Sequence, residues 1–379
     1  MPNPDHEKFN VVDTIRQSAP VDTTLPYDIT SLAGKVILIT GGASGFGASF
    51  ARHWASHGAH IIIGDINDAA GEELAAELRT LPGSSGHHHF QHCDVTKWED
   101  QLALFQAAVR SSPTGGIDAV VANAGVIEKE TAASGGGFEN PSGLDMDENP
   151  RPAPPPLQCV AVNLTGVMYT AHLALYWLPK NQEPKQTASS QDSPSTQPPQ
   201  PRDRHLLLIG SVAGLMPITG QPEYTVSKHG VTGLFRSLRG TVFQHGIRVN
   251  MICPYFVETP LIPTPGMLML AGAALGSVGD VVDAATRLVA DEAIRGRALV
   301  VGPKMRVVDE EDGGWKVVER EGGARTQPVW ECYAHDYEQV EEFVLRYIRL
   351  LNAVSAIRGW VGTLKDVVNA LFFRRKARV

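Results

Sequence analysis

Residues Lys35–Asp65 read KVILITGGASGFGASFARHWASHGAHIIIGD. Lys35–Thr40 is a short apolar run rich in β-branched side chains, the composition of a buried parallel strand. It breaks at Gly41-Gly42-Ala43-Ser44-Gly45-Phe46-Gly47. Ala48–His57 then has helical spacing, and Gly58 suits a helix C-cap. His60–Gly64 is a second apolar strand, and Asp65 follows it. Strand, glycine turn, helix, strand and acid form the front half of a dinucleotide-binding unit. Glycines allow the sharp turn and let a pyrophosphate approach the backbone at a helix N-terminus. A carboxylate at Asp65 is placed to accept hydrogen bonds from an adenosine ribose. Its charge would repel a 2′-phosphate, and neither Ser44 nor Ile66 supplies a cation to hold one. The pattern therefore favours NAD, with NADP the weaker fit.

The rhythm continues downstream. Asn67–Leu81 and Trp98–Ser111 read as helices. A strand ending at Asp94, then Ile117–Ala122, His205–Ile209, Ile247–Ile252 and Ala298–Val301 read as further strands. Strands alternating with helices predict an α/β fold with a doubly wound parallel sheet, the Rossmann fold. Leu157–Leu178 reads as one long apolar helix with Asn163 inside it, an unfavourable place for Asn unless its amide finds partners. Val278–Glu292 also reads as helical.

Length allows one large domain or two ordinary ones, and 43% hydrophobic residues can fill a core. A net charge of −8 lacks the basic face that nucleic-acid binding needs. Cys93, Cys159, Cys253 and Cys332 form no CxxC pair and read as free thiols in a reducing compartment. His87, His88 and His89 alternate across a strand, so the histidine run does not read as a metal site. The N-terminus has no apolar signal core, and no apolar run is long enough to span a membrane, which leads to a cytoplasmic expectation.

The expected organisation is an N-terminal arm (1–32), a central Rossmann-fold domain (33–302) and a C-terminal extension (303–379). Segments 131–156 and 181–204 are poor in apolar side chains and read as exposed insertions. In the extension, Met305–Val308 and Trp315–Val318 read as a hairpin, and Tyr337–Leu350 and Ala353–Phe373 as helices. The last helix ends in Arg374-Arg375-Lys376-Ala377-Arg378 and could lie on an anionic membrane surface; a packing helix with a solvated tail is the blander reading. Leu261–Gly276 is apolar and Met-containing, a candidate lid over a lipophilic substrate, although a core stripe would look the same.

The stretch SVAGLMPITGQPEYTVSK (Ser211–Lys228) supplies chemistry. Where Tyr224 starts a helix, Lys228 lies one turn on, on the same face. A neighbouring cation favours the phenolate, and a tuned phenol can exchange a proton with an alcohol or carbonyl oxygen. Ser211, just past a strand end, can hold that oxygen.

TGGASGFG (Thr40–Gly47), Asp94, the NAG of Asn123–Gly125, Asn163, Ser211 and YTVSK (Tyr224–Lys228) together resemble the short-chain dehydrogenase/reductase family, in its order and near its spacings, over about residues 33–302. SVAGLMP, SKHG and Asp65 resemble its NAD-dependent 15-hydroxyprostaglandin dehydrogenase-like members, and secondary-metabolite alcohol dehydrogenases fit equally. The resemblance implies that Gly41, Gly45 and Gly47 cradle the cofactor pyrophosphate and that Asp94 and Val95 meet its adenine; Ser44, Phe46, Asp65 and Ile66 belong to the same expected cofactor-binding set. It implies that Asn123 braces the cofactor pocket and that the Val257 backbone and Thr259 meet the carboxamide. Tyr224 becomes the general acid/base, Lys228 its cationic partner and ribose ligand, Ser211 the group that orients substrate, and Asn163 the holder of a relay water. Three positions depart from the pattern: Ala122 before Asn123, Gly210 before Ser211, and Tyr255 after Pro254. The expected activity is NAD-dependent oxidation of a secondary alcohol on a lipophilic small molecule. Carbonyl reduction with NADPH and a non-catalytic NAD-binding role are the alternatives. A homo-oligomer is compatible, although the long extension could occupy the surface on which the family's tetramer is built.

Overall fold

The computed structural model describes residues 15–128, 137–139, 141, 154–155, 157–181, 202–261, 270, 272–309, 315–318, 324–333, 350, 353–354, 357 and 360. The chain divides into two compact units, one running Gln17–Ala334 and the other combining Met1–Arg16 with His335–Val379.

The larger unit is built on one sheet. Its strands are β1 (Val36–Thr40), β2 (His60–Asp65), β3 (His88–His92), β4 (Ala119–Ala122), β5 (His205–Ile209), β6 (Arg248–Pro254), β7 (Ala298–Asp309), β8 (Trp315–Val317) and β9 (Arg325–Cys332). The order is β3-β2-β1-β4-β5-β6-β7-β8, with β9 also on β7. Neighbours from β3 to β7 are parallel, whereas β8 and β9 run antiparallel to β7. Helices α1 (Gly45–Ala55), α2 (Asp68–Leu78) and α6 (Val278–Ala290) bury Phe50, Trp54, Leu74 and Leu288 on one face of the sheet. Helices α3 (Trp98–Ser111), α4 (Val167–Trp177) and α5 (Pro222–Leu238) bury Phe105, Leu173, Val231 and Phe235 on the other. Because both faces are covered, every residue of β1 and β5 is buried, which is why these strands read as unbroken apolar runs rather than as alternations. Strand order reverses between β1 and β4, and that reversal opens a crevice at the carboxyl ends of the strands.

Several local expectations change. The third strand stops at His92, and Asp94 lies in the turn beyond it. The long helix over Leu157–Leu178 is not uniform: Val160–Gly166 is π-helical and α4 follows. The periodicity of Gly230–His245 predicts that the helix from Tyr224 runs on to His245; it ends at Leu238, and a separate 3₁₀ turn, Val242–His245, closes on Gly246 in the left-handed region. The last parallel strand does not end at Val301 but continues to Asp309, so the hairpin expected from Met305 grows directly out of it. β9 adds a further strand along β7, from Ala298↔Cys332 to Val307↔Arg325, with an irregularity between Val301 and Met305. Pro303 and Pro328 both fall at that irregularity, where a residue without an N–H breaks no ladder bond.

The chain ahead of β1 is tied down as well. Ser18 and Arg295 exchange hydrogen bonds (Ser18 N to Arg295 O, 3.1 Å; Arg295 N to Ser18 Oγ, 3.1 Å). The Arg287 guanidinium donates to the carbonyls of Asp22, Thr23 and Leu25. At the amino ends of the strands, Asn181 and Asp203, read from sequence as part of an exposed insertion, are buried. Asn181 Nδ2 donates to Asp118 Oδ1 at 2.8 Å, and Asp203 receives Arg248 at 2.6–2.7 Å and Lys35 at 2.8 Å. Residues 182–201, like most of 131–156 and most of the two helices expected after 336, lie outside the described residues. Among the described residues no helix is long and apolar enough to cross a membrane.

Candidate active site

The site is assembled at the strand-order reversal. Gly41 has φ +62°, and a Cβ there would lie 2.6 Å from the Ala124 Cα, so only glycine lets the turns after β1 and β4 approach this closely. A Cβ on Gly47 would lie 2.3 Å from the Gly41 carbonyl oxygen. Gly45, at φ +52°, instead faces open space on its Cβ side. Ser44 occupies the N-cap of α1 and makes no side-chain capping bond, so the first-turn N–H groups keep their capacity to bind an anion. This is a cradle that a pyrophosphate fits. Phe46 leans back onto Phe50, with ring centroids 6.3 Å apart.

Asp65 and Asn123 support the cradle. Asp65 Oδ2 accepts from Ala43 N at 2.9 Å and its Oδ1 from Asn67 N at 3.0 Å, so the acid braces the glycine turn itself. Sequence reasoning assigned it only the ribose. Ile66 beside it is 66% exposed, a large apolar side chain at the rim of the crevice. Asn123 Nδ2 donates to the carbonyls of Thr40 and Gly41, both at 2.9 Å, which ties the end of β4 to the glycine turn. Asp94 Oδ1 accepts from Thr96 N and Oγ1 at 3.0 and 2.7 Å. Burial pushes the Asp94 carboxyl up, but the Thr96 bonds and Lys97 outweigh it and hold it below its ordinary range. Val95 is buried against Gly166 in the π-helical segment.

The residues expected to transfer the proton, Ser211, Tyr224 and Lys228, lie beyond the end of β5. Ser211 caps the short turn Val212–Gly214, with Oγ accepting from Ala213 N at 3.1 Å. The Ser211 hydroxyl lies near enough to Tyr224 to pull its phenol down. Lys228 Nζ donates to the Ile209 carbonyl at 3.0 Å and lies 5.7 Å from the centre of the Tyr224 ring. Burial pushes the Lys228 ammonium down to about 8. Burial also raises the Tyr224 phenol, against the opposing pull of Ser211. The sequence reading has Lys228 lowering that phenol; within the chain alone desolvation wins, because the lysine spends its charge on a carbonyl at the end of β5.

Asn163 is fully buried in the π-helical segment and its side-chain amide makes three hydrogen bonds. Oδ1 accepts from Val126 N at 2.8 Å, and Nδ2 donates to Val126 O at 2.8 Å and to Ser227 Oγ at 3.1 Å. The extra residue of the π turn carries the amide across to the strand end. Ser227 in turn donates to Tyr224 O at 2.7 Å. Val257 is buried and bridges to Gly276, while Thr259 lies half-buried in the turn that follows. Of the expected lid, only residues at its two ends are described.

Residues missed by sequence reasoning surround this group. Glu128 is buried and accepts from Tyr224 N at 3.1 Å. Burial pushes its carboxyl up, with the acids Glu223 and Glu139 nearby. Cys253, at the end of β6, packs under Gly210 and meets Cys332 on β9, so two of the four thiols come together although nothing in their spacing pairs them. No cluster of metal-ligating side chains occurs among the described residues.

A model of the short chain dehydrogenase family matches residues 35–185 and 203–264. The chain belongs to the short-chain dehydrogenase family. The match passes over 186–202, between the anchors Asn181 and Asp203. Among curated relatives, 5′-hydroxyaverantin dehydrogenase of Emericella nidulans is 36% identical over 327 residues, covering 82% of this chain and 96% of the relative. A 5′-hydroxyaverantin dehydrogenase of Dothistroma septosporum is 35% identical over 305 residues, covering 76% and 91%. Among solved structures, a 3-ketoacyl-(acyl-carrier-protein) reductase from Brucella melitensis complexed with NADH superposes with a TM-score of 0.53 at 24% identity, over 71% of this chain and 97% of that one, a likeness of fold. The family and these relatives make the protein an oxidoreductase acting on the CH–OH group of a secondary alcohol with a nicotinamide cofactor.

Proposed function

We propose that this dehydrogenase uses NAD to oxidise a secondary hydroxyl on a lipophilic secondary metabolite, with Tyr224 as the general base. The observation that carries the reading is the meeting of Ser211, Tyr224 and Lys228 at the carboxyl end of β5, across the crevice from the glycine turn. An oxidised nicotinamide held in the glycine cradle would supply the acceptor for the hydride of the carbinol carbon.

The chain does the rest. Ser211 holds the substrate oxygen and Tyr224 Oη takes its proton. Lys228 binds the ribose and stabilises the phenolate once both are in place. Asn163 holds the water that carries the proton outward. Val257 and Thr259 meet the carboxamide, while Asp94 and Val95 border the adenine. The uncharged Ser44 and Ile66 beside the Asp65 carboxylate support NAD over NADP, because a 2′-phosphate would meet a negative group and no cation. The name shared by the two relatives supports 5′-hydroxyaverantin as the first substrate to try. A panel of hydroxylated lipophiles led by that compound, assayed for NADH formation with NAD and separately for NADPH formation with NADP, tests the reading. NADP-only turnover overturns the cofactor assignment, and no turnover across the panel overturns the substrate class.

A further inference from the structure

Helix α5 carries both Tyr224 and Lys228, and its start is built unusually. Gln221 is the N-cap residue, yet its side chain makes no bond to its own helix. Pro222, at the first helical position, has no N–H to offer. The N–H groups of Glu223 and Tyr224 are the orphan donors of that turn, since Thr225 N already reaches the Gln221 carbonyl at 2.9 Å. The Tyr224 N–H donates at 3.1 Å to a carboxylate from another part of the chain, that of Glu128 on the segment leaving β4, with the Glu223 N–H beside the same carboxylate. Gln221 returns the contact, its Oε1 accepting from Glu128 N at 3.3 Å. This is the reciprocity of a capping box, with its two halves drawn from different segments.

The same segment also reaches the carbonyl of Tyr224. Val126, two residues before Glu128, is held on both its N–H and its C=O by Asn163. Asn163 donates to Ser227 Oγ, and Ser227 donates to Tyr224 O. Glu128, Tyr224, Ser227, Asn163 and Val126 thus form a closed ring in which Tyr224 is gripped at its N–H and at its C=O. Glu128, Asn163 and Ser227 are all buried, so water does not compete well for these bonds.

We propose that Glu128 is a positioning residue for the dehydrogenase reaction, its carboxylate closing the ring that fixes the Tyr224 backbone and so aims the phenol. The proposal rests on the reading of Tyr224 as the proton acceptor. Glu128 touches neither substrate nor cofactor in this role; it acts through Tyr224. A glutamine at 128 keeps an acceptor of the same reach, whereas alanine leaves the Tyr224 N–H without a partner.

The test compares the full-length protein with its Glu128→Gln and Glu128→Ala variants by two measurements. The first is steady-state turnover of 5′-hydroxyaverantin with NAD. Glu128→Ala is expected to lower kcat roughly ten- to hundredfold, the scale of a misplaced reacting group, with the KM for NAD within about twofold. Glu128→Gln is expected to restore kcat to within about threefold, since one accepted bond remains. The second is amide hydrogen exchange over Gln221–Lys228, which needs no substrate. Exchange there is expected to accelerate in the alanine variant and not in the glutamine variant, while Trp98–Ser111 stays unchanged. An alanine variant with wild-type kcat, or with wild-type exchange over Gln221–Lys228, overturns the proposal. Failure of the wild-type protein to turn over the probe counts against the functional reading, and the exchange measurement then decides the ring by itself.

Discussion

The ammonium of Lys228 donates to the carbonyl of Ile209 at 3.0 Å, joining the helix that carries the proton-transfer group to the last residue of β5. The lysine is buried and its pKa lies near 8, well below the unfolded value of about 10.4. Between those values the unfolded chain binds the extra proton, so stability rises with pH across that window. Relative to Lys228→Met, the wild-type protein is expected to gain on the order of 3 kcal/mol between pH 8 and about 10.5, as the buried charge is shed. Denaturant unfolding of both proteins at several pH values checks this, and parallel curves would contradict it. The variant is also expected to lose turnover, because no cation is left to stabilise the phenolate.

Asp65 has two jobs that can be separated. Asp65→Asn keeps one oxygen able to accept from Ala43 N, at the expense of the Asn67 N bond, and removes the charge proposed to repel a 2′-phosphate. The expected outcome is a fall in the ratio of kcat/KM for NAD to that for NADP by about tenfold or more, the scale of one close charge interaction. Thermal stability is expected to stay close to wild type. An unchanged cofactor ratio with intact folding would remove the electrostatic argument for NAD.

Asp203 anchors the opposite end of the sheet. It is buried between Arg248 and Lys35, and these cations hold its carboxyl far below the usual carboxylate range against the opposing effect of burial. Removing one partner of such a buried set leaves uncompensated charge, and Asp203→Ala is expected to cost about 3–5 kcal/mol at neutral pH. A depressed carboxylate pKa stabilises above the unfolded value of about 3.9, and that gain is lost as pH falls through the folded value. The gap between wild type and variant should therefore narrow in acid. Chemical denaturation at neutral and acid pH measures it. A gap that widens in acid would contradict the assignment of charge.

Much of this molecule can be read from its residues, and the exceptions have physical causes. β1, β2, β5 and β6 announce themselves because burial on both faces demands apolar runs. Gly41, Gly47 and Asn123 are legible because the approach of two turns leaves no room for other side chains. β9 stays hidden because Arg325-Thr326-Gln327-Pro328 is polar and holds a proline, which reads as a loop until the irregularity in β7 accommodates it. Gly302-Pro303 likewise reads as the end of β7 although the strand passes through it. The burial of Asn181 and Asp203 depends on Asp118, Arg248 and Lys35, all remote in sequence. Glu128 looks like the first residue of a polar loop, since its bond to Tyr224 N spans 96 positions and local patterns carry no trace of it. The upward shift of the Tyr224 phenol also escapes a reading based on Lys228 alone, because desolvation depends on the closed fold.

In the proposed mechanism Tyr224 Oη removes the hydroxyl proton while the cofactor site works independently of it. The most direct measurement is NADH formation by Tyr224→Phe beside the wild-type protein on the substrate panel, with NAD affinity determined for both. The phenylalanine variant keeps the ring and its packing but has no ionisable oxygen. Turnover is expected to fall by about 10²–10⁴-fold or beyond detection while the Kd for NAD changes by less than about twofold. Turnover retained at the wild-type rate would contradict the account.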